Sequence, residues 1–342
     1  MRRLLLTAAL ALAICVSSRA AERGLDIEWI DVEGGAATLI VTPAGEAILV
    51  DAGWPGAGGR DAQRIKAALE RHGLKAIDHL ITTHYHVDHY GGVPQLAEVV
   101  PVRRFYDHGE MSELAEDRGF AERYAAYRAA AKGQTTTLKP GDTVRLKQAG
   151  EKLTLTVLAA RGAVVGGGPQ KQNPACAEAT IKPEDPSDNA RSIAFVLKYG
   201  TFEFFDAGDL TWNVEAQLVC PADRVGRVDL YQVTHHGLDI SNNPVLLRTL
   251  QPTVAVMNNG AKKGGAAEVF RNLKALSSLQ ALYALHRNVA KSPEDNADPA
   301  LTANLEAEPD EAQTIRASVD RRARTFTVTN GRTGETRTFK VR

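Results

Sequence analysis

The first part of the chain carries the pattern of hydrophobic and polar residues that β-strands have. Three apolar or alternating runs follow one another: LDIEWIDV from Leu25, AATLIVT over 36–42 and EAILVDAG over 46–53. The short segment 43–45, Pro-Ala-Gly, separates the last two runs and is typical of a tight turn. The sequence therefore predicts a β-rich start to the fold.

The next segment changes to helical spacing. Ile65, Ala68 and Leu69 lie on one face of a predicted amphipathic helix. Asp61 is its expected N-cap and Gly73 its expected C-terminal stop. A further strand, IDHLITT, follows this helix. The chain thus passes from strands to alternating strands and helices, which is typical of an α/β fold.

The rest of the chain continues this alternation around a loop-rich middle. Residues 111–132 are predicted to be mostly helical, whereas 161–190 are rich in Gly, Pro and Asn and are expected to form loops. Strands resume after these loops, a helix-rich piece lies near 244–280, and residues 314–341 are predicted to form two or three polar strands. We expect a single domain over 21–342 with a C-terminal β-strand extension.

The strand IDHLITT runs directly into the segment THYHVDH, which holds three of the nine histidines of the chain. His84 and His86 are two residues apart, so at an extended strand end both rings point the same way and reach one cation. Asp88 and His89 follow after one residue and turn toward a neighbouring position. Imidazole and carboxylate groups bind zinc and similar divalent metals, and four of them at H-x-H-x-D-H spacing predict a metal site.

The N-terminus has the composition of a secretory signal peptide. Two arginines precede an apolar run over 4–16, and a small-x-small cleavage pattern ends at Ala20. This predicts a signal peptide over 1–20 and export to the periplasm or the exterior, with no stable membrane span after cleavage. An uncleaved anchor is the alternative, although the run is short for a span. Export would allow Cys176 and Cys220 to form a disulfide, a pairing that the sequence leaves open.

The overall charge of the chain gives no sign of a polyanionic partner and does not exclude one. The chain has 41 basic and 41 acidic residues, and removal of the signal peptide deletes three arginines and no acid, which leaves a net charge of about −3. A nuclease needs a basic groove, so nucleic acid is not the favoured partner. The expected partner is a small-molecule or phosphoester substrate.

The HYHVDH segment resembles the H-x-H-x-D-H signature of the metallo-β-lactamase superfamily, and further matches follow in family order over roughly 25–290. Asp51 ends an early strand, where it is expected to orient a ligand histidine or only to accept backbone hydrogen bonds. Asp209 in FFDAGDL matches the aspartate that bridges two metals in the family. His235 or His236 in YQVTHHG matches a later histidine. The resemblance implies an αββα sandwich, with the site on loops at one edge of two sheets.

Three segments, DNARSIAFVLKYG, GDL and THHG, are similar to the hydrolase domain of ComEC-type DNA-uptake proteins, with the bacterial phosphorylcholine esterases nearby. Many superfamily members carry one more histidine shortly before the strand that leads to the bridging aspartate. The sequence Pro-Ser-Asp-Asn over 186–189 stands there in this chain. One metal is therefore held by three protein ligands, or its coordination is completed by Asp188, Asn189, water or substrate.

The resemblance implies two divalent metal ions, zinc in the first place, with manganese or iron as alternatives. The implied ligands are His84, His86, Asp88, His89, Asp209 and His235. The first two histidines hold one ion, Asp209 lies between the ions, and the other three residues hold the second. Two such cations lower the pKa of a bridging water toward neutral, and the resulting hydroxide attacks an electrophilic phosphorus or carbonyl carbon.

Two further features bear on catalysis and on substrate binding. The strand register favours His235 as the metal ligand, which leaves His236, with Asp88, as an expected catalytic residue that donates a proton or contacts a phosphate. The segment MNNGAKKGG places Asn258, Lys262 and Lys263 in a Gly-rich loop after a strand. Lysines in such a loop suit a phosphate-bearing substrate, and Asn258 and Lys262 are the predicted contacts. A solvated surface turn is the alternative.

Three functions follow from these features. The first is an exported binuclear metal-dependent hydrolase that cleaves a phosphoester. The second is a hydrolase of a carbonyl substrate, such as a lactone, a thioester or a β-lactam. The third is a metal-binding protein without catalysis, and the presence of Asp209 argues against it.

Overall fold

The computed structural model describes residues 23–167, 172–308 and 311–342, and the predicted signal peptide lies outside them. The strands are β1 (Leu25–Trp29), β2 (Thr38–Val41), β3 (Ala47–Val50), β4 (His79–Ile81), β5 (Phe105–Asp107), β6 (Thr135–Thr137), β7 (Thr143–Val144), β8 (Leu153–Ala160), β9 (Ala163–Val164), β10 (Ala194–Tyr199), β11 (Phe202–Asp206), β12 (Leu230–Gln232), β13 (Val254–Met257), β14 (Ala281–His286), β15 (Thr302–Asn304), β16 (Ile315–Val319), β17 (Thr325–Asn330) and β18 (Thr336–Lys340). The helices are α1 (Arg60–Arg71), α2 (Val87–Tyr90), α3 (Val93–Val99), α4 (Phe120–Ala130), α5 (Trp212–Val219), α6 (Pro244–Leu250) and α7 (Ala267–Lys274). Within these ranges no helix has the length and apolar character that a membrane span requires.

The first sheet has the strand order β18-β17-β16-β1-β2-β3-β4-β5-β6. Its strands are antiparallel from β18 to β3 and parallel from β3 to β6. The C-terminal strands predicted from the polar alternation therefore continue this sheet, because β16 pairs with β1 from Leu25–Val319 to Trp29–Ile315.

The second sheet has the order β15-β14-β13-β12-β11-β10-β8-β7, with β9 paired to β8. The strands from β11 to β15 are parallel, and β10, β8 and β7 are antiparallel to their neighbours. Parallel strands end at the same edge of a sheet, and such edges carry the ligand sites of open α/β sheets. The loops that follow β3, β4, β11, β12 and β13 are therefore the ones that can build a common site.

Three apolar clusters define four layers. One cluster lies between the two sheets and includes Trp29 and Phe204, whose rings meet edge to face at 5.9 Å. A second covers the outer face of the first sheet with α1, α3 and α4, and a third covers the outer face of the second sheet with α5, α6 and α7. The layers are helix, sheet, sheet and helix, which confirms the predicted αββα fold class.

Some local predictions are corrected by the structure. Helix α1 follows Gly59 in a left-handed conformation, so Asp61 is not the N-cap. The Asp61 carboxylate instead accepts the backbone N–H of Trp54 at 2.8 Å. Helix α4 is shorter than the predicted helix over 111–132 because Asp117 accepts the N–H of Gly119 at 2.9 Å and ends the preceding turn. The helix-rich piece near 244–280 also contains β13, whose four residues are all buried.

A disulfide joins the loop-rich middle of the chain to the outer helices. Cys176 and Cys220 are bonded, with their Cα atoms 5.7 Å apart and 44 positions apart in sequence. Cys176 lies in the 3₁₀ turn Pro174–Glu178, and Cys220 caps α5. The pairing that the sequence leaves open is therefore present.

A buried carboxyl group connects α5 to the loop before α6. Glu215 accepts the backbone N–H of Asn243 through Oε2 at 2.7 Å, whereas its Oε1 is buried without a hydrogen-bond partner. Burial raises the pKa of Glu215 to about 7. Folding therefore favours the protonated carboxyl at pH values where the unfolded chain is already ionised.

Replacing Glu215 should reveal how the protonation of this carboxyl group affects the free energy of unfolding. Glu215→Gln keeps an acceptor for Asn243 and cannot ionise. A raised pKa gives stability that is present below the unfolded value of 4.5 and is lost as the pH rises through about 7. At about pH 8 the variant should exceed the wild type in free energy of unfolding by up to about 3 kcal/mol, and at about pH 4 the two should be equal. Urea unfolding of both proteins measures this, and a difference independent of pH would contradict it.

Candidate metal centre

The site lies where strand ends of the two sheets meet. Asp51 follows β3, the segment from His84 to His89 follows β4, and Asp209 follows β11. His235 and His236 follow β12 on a short turn. Because these strands run parallel within each sheet, their carboxyl ends bring four loops to one edge.

Asp88, His89, Asp209 and His236 form a buried cluster whose ligand-type atoms all lie within 4.8 Å of one another. His89 Nε2 lies 3.4 Å from Asp88 Oδ2 and 3.2 Å from Asp209 Oδ2. His236 Nε2 lies 3.2 Å and 3.5 Å from the same two oxygens. The two Nε2 atoms are 3.2 Å apart. Two carboxylates and two imidazoles thus converge on one small volume.

The outward nitrogen of each ring already has an acceptor. His89 Nδ1 donates to Asp51 Oδ2 at 2.7 Å, and His236 Nδ1 donates to the carbonyl oxygen of Asn258 at 3.0 Å. In a neutral ring with its proton on Nδ1, Nε2 presents a lone pair. Two lone pairs and two carboxylates that face each other need a cation between them, and imidazoles held from behind in this way are typical of metal ligands.

The same reasoning applies to His84. Thr83 Oγ1 donates to Asp51 Oδ2 at 2.7 Å, so it accepts from His84 Nδ1 at 3.1 Å. This leaves His84 Nε2 as a lone pair that is buried without a hydrogen-bond partner and lies 3.9 Å from Asp209 Oδ2. A buried nitrogen without a hydrogen-bond partner requires an explanation, and a second bound cation provides one.

His86 lies at the open side of the cluster. Its ring centroid is 4.8 Å from that of His84, and its Nε2 lies 3.2 Å from Glu116 Oε1. Asp188, considered from the sequence as a ligand, accepts the backbone N–H of Tyr85 at 2.7 Å through Oδ2, and the same oxygen lies 3.0 Å from His108 Nε2. Its carboxylate therefore anchors the histidine segment from behind.

His235 has a different environment from His236. Both take positive φ angles, 54° and 52°. His235 Nε2 lies 3.3 Å from Asp209 Oδ2, and its Nδ1 lies 3.0 Å from the hydroxyl of Ser241. If the hydroxyl donates to Nδ1, the proton of the neutral ring is on Nε2 and points to Asp209. The structure thus brings His236, rather than the His235 favoured from the strand register, to Asp88 and His89.

Lys263 enters the cluster from the Gly-rich loop. Its ammonium group donates to Asp88 Oδ2 and lies 5.3 Å from the ring centroid of Trp54. The loop can come this close because Gly34, with φ of 86°, packs against Gly260: a Cβ on Gly260 would lie 2.8 Å from Gly34 Cα. Lys263, and not Lys262, is therefore the lysine that reaches the site.

The two predicted substrate contacts lie at different depths. Lys262 is exposed and makes no contact with the cluster among the described residues. Asn258 is buried, supports His236 through its carbonyl oxygen, and has a side-chain Oδ1 without a hydrogen-bond partner. Asn258 therefore lies behind the cluster, and Lys262 lies outside it.

The electrostatics of the cluster favour ionised carboxylates. Burial by itself would raise the pKa of Asp209, but His235, His89 and His236 hold the pKa well below its usual range. Burial likewise opposes the protonation of His89, but the charges of Asp209 and Asp88 raise the pKa of that ring well above its usual value. Burial lowers the pKa of His84 well below its usual value and that of His235 to about 4. A bound cation would replace the protons that the cluster holds without it.

The donor set fits divalent metal ions. Ionised carboxylates and imidazole nitrogens are the ligand types that zinc, manganese and iron accept, and no thiolate is present in the cluster. The spacing H-x-H-x-D-H predicts this from the sequence. The contacts of Glu116 and Ser241 carry no sequence signal, since both residues reach the histidines only through the folding of distant loops.

Solved structures of similar proteins come from several organisms. YhfI of Bacillus subtilis, a metallo-beta-lactamase fold protein, is 14% identical, with 76% of this chain and 96% of that chain covered and a TM-score of 0.46. Igni18 of Ignicoccus hospitalis, a metallo hydrolase, is 13% identical, with 75% and 94% covered and a TM-score of 0.42. CmlA of Streptomyces venezuelae, a diiron beta-hydroxylase, is 14% identical, with 75% and 48% covered and a TM-score of 0.39. No curated protein matches the chain significantly.

The αββα fold and the aspartate–histidine cluster agree with the match to one family model. Residues 30–169 match the family model of the metallo-beta-lactamase superfamily, and this segment contains the HYHVDH sequence. Over this segment the chain is similar to that superfamily, whose members are mostly metal-dependent hydrolases. The match supports the superfamily prediction made from the motifs.

Replacing His235 and replacing His236 should have different effects on metal binding. His236→Ala removes a nitrogen that faces both carboxylates. The ion beside Asp88 and His89 should therefore bind more weakly by a factor of at least roughly 10–100. His235→Ala should leave that ion bound. Metal analysis after dialysis, with anomalous diffraction to locate the remaining ion, measures both. Retention of this ion in His236→Ala together with its loss in His235→Ala would restore the assignment favoured from the sequence.

Proposed function

We propose that the chain is an exported hydrolase that binds two divalent metal ions, zinc in preference to manganese or iron, and cleaves a phosphoester. The observation that carries the proposal is the buried set of lone pairs at the strand-end edge. Three imidazole nitrogens and two carboxylates face one volume, and protein donors satisfy only part of it. Such a set is stable when cations occupy it.

We assign the ligands to two groups. Asp88, His89 and His236 would hold one ion, His84 and His86 would hold the other, and Asp209 would lie between them. This differs from the assignment made from the sequence in one residue, because His236 contacts Asp88 and His235 does not.

Two bound divalent ions would supply a water of lowered pKa and polarise the oxygen of the attacked group. The protein's own contribution is to hold the ligands in place. Asp51 keeps the ring of His89 oriented through Nδ1, and the carbonyl of Asn258 does the same for His236. Removal of such supports lowers metal affinity or activity substantially in other metal sites.

Lys263 supports a phosphoester as the substrate. Its ammonium group lies at the cluster and donates to Asp88, a carboxylate that would bind a metal ion. When a metal ion binds Asp88, the ammonium group of Lys263 is released and can bind a phosphoryl oxygen as a point charge. A phosphodiester carries its negative charge on the attacked group itself, which a carbonyl group does not.

His235 is the candidate for a direct contact with the substrate. Its ring is 5% exposed, whereas His236 is fully buried. Since burial lowers the pKa of His235 to about 4, the ring is neutral near pH 7. We assign the Ser241 hydroxyl as the donor to Nδ1, so that Nε2–H is the donor toward the site. We assign His235 the role of hydrogen-bond donor to the attacked group, in place of the proton-donor role expected for His236.

Export is part of the proposal. Two features support it: the N-terminal segment with the composition of a signal peptide, and the disulfide between Cys176 and Cys220. Disulfides persist mainly in oxidising compartments.

Removal of metal should abolish activity. Protein dialysed against a chelator should show no turnover of a chromogenic phosphodiester, and zinc or manganese should restore it. A panel of phosphomonoester, lactone, thioester and β-lactam substrates tests the chemical class. Full activity in protein shown to be metal-free would refute the proposal, and preference for a carbonyl substrate would refute its phosphoester part.

The two neighbouring lysines form a matched pair. Lys263→Ala should raise the KM for an anionic phosphodiester roughly tenfold, the size of one charge-assisted hydrogen bond, with both ions retained. Lys262→Ala should behave as wild type because its side chain is exposed outside the cluster. Steady-state kinetics and metal analysis of both variants measure this. Equal effects of the two substitutions would contradict the role of Lys263.

A further inference from the structure

One of the two ion positions has an incomplete ligand set. His84 and His86 supply two nitrogens, Asp209 supplies an oxygen that lies 3.9 Å from His84 Nε2, and the sequence has no histidine over 186–189. His84 Nε2 is buried and has no hydrogen-bond partner. Some further group of this chain, or a solvent or substrate atom, must complete the position.

No described hydrogen bond or ion pair joins Asp188, His235 or Asn189 to His84 or His86. Asp188 uses Oδ2 on the N–H of Tyr85 and on His108, and its buried Oδ1, which has no hydrogen-bond partner, lies 3.6 Å from Arg191 Nη1. His235 Nε2 lies 3.3 Å from Asp209 Oδ2, and the described contacts join this ring to neither His84 nor His86. Asn189 has a buried Oδ1 without a partner, but the described contacts join it to neither His84 nor His86.

Glu116 is in direct contact with His86, one of the two histidines of this position. Its Oε1 lies 3.2 Å from His86 Nε2, the nitrogen by which that ring would bind an ion. The same Oε1 accepts the backbone N–H of Asp188 at 2.9 Å. Glu116 thus connects the H-x-H segment to the segment 186–189, where many superfamily members carry a further histidine and this chain has none.

The alternative is a surface ion pair that only holds the loop before α4. An ion pair between a histidine with 21% and a glutamate with 33% of the side chain exposed contributes little to stability by itself. The ring of His86, however, stands 4.8 Å from the orphaned ring of His84. Carboxylates bind metal ions, and the carboxylate of Glu116 approaches Nε2 of His86, whose ring lies beside the buried, unpartnered Nε2 of His84.

We infer that the carboxylate of Glu116 completes the ligand set of the ion held by His84 and His86. The inference rests on the proposed metal centre. Without the ion, Glu116 pairs with His86; with it, both groups bind the same cation. The loop that carries Glu116 would then be held by metal at one end and by the N–H of Asp188 at the other.

Zinc titration of the full chain tests this inference. Competition with a chelator of known affinity gives the affinity of each zinc equivalent, and elemental analysis gives the stoichiometry. Glu116→Gln keeps an acceptor for the N–H of Asp188 and loses the charge, so one of the two equivalents should bind at least tenfold more weakly, with the other unchanged. Glu116→Asp keeps the charge and should recover part of the affinity. Glu113→Gln, an exposed carboxylate on the same loop, should bind both equivalents as wild type does.

The outcomes separate the competing explanations. Unchanged affinity for both equivalents in Glu116→Gln overturns the inference, as does loss of an equivalent in Asn189→Ala but not in Glu116→Gln. A purely structural role for Glu116 predicts that Glu116→Gln binds zinc normally, because the hydrogen bond to Asp188 survives. A wild-type protein that binds no zinc overturns the metal centre itself. Thermal unfolding of the zinc-free variants, expected to match wild type, shows that a lost equivalent is not a folding defect.

Discussion

The carboxylate of Asp51 is the contact on which the arrangement of the site depends. It accepts the backbone N–H and the hydroxyl of Thr83, at 2.8 and 2.7 Å, and the Nδ1–H of His89. Through Thr83 it also decides which nitrogen of His84 carries the proton. One buried carboxylate therefore turns two imidazoles so that their lone pairs face inward. Asp51 takes a positive φ of 60°, which is uncommon for a residue other than glycine, at the point where the chain leaves β3.

The two sheets contribute unequal parts to the site. The first sheet supplies the histidine segment and its support, and the second supplies Asp209, His235 and His236. Neither half alone has a complete ligand set. The buried apolar cluster between the sheets fixes their spacing, and the contact of Gly34 with Gly260 allows the outer loops to meet. Close packing in the core is thus a condition for placing the ligands within reach of one another.

The local features of the site are predictable from the sequence, and the long-range ones are not. The H-x-H-x-D-H spacing brings four ligand-type side chains together because strand periodicity and a following turn act over six residues. The choice between His235 and His236 depends instead on two left-handed residues in succession, which the strand register does not anticipate. Lys262 and Lys263 are adjacent in sequence, and only the packing of their loop decides which one points inward. The same limit applies to the helix predicted over 111–132, where a turn at Asp117 prevails over helix propensity.

The pairing of β1 with β16 has a consequence for how the chain acquires its structure. Leu25 pairs with Val319, so almost the whole chain separates the two partners. Contacts of such high sequence separation form slowly, because a long loop must close before they contribute. Until β16 arrives, β1 is an edge strand whose buried residues have no neighbour on that side, and open edges of this kind pair with other molecules. Productive folding therefore competes with aggregation for as long as the last strands are missing from the first sheet.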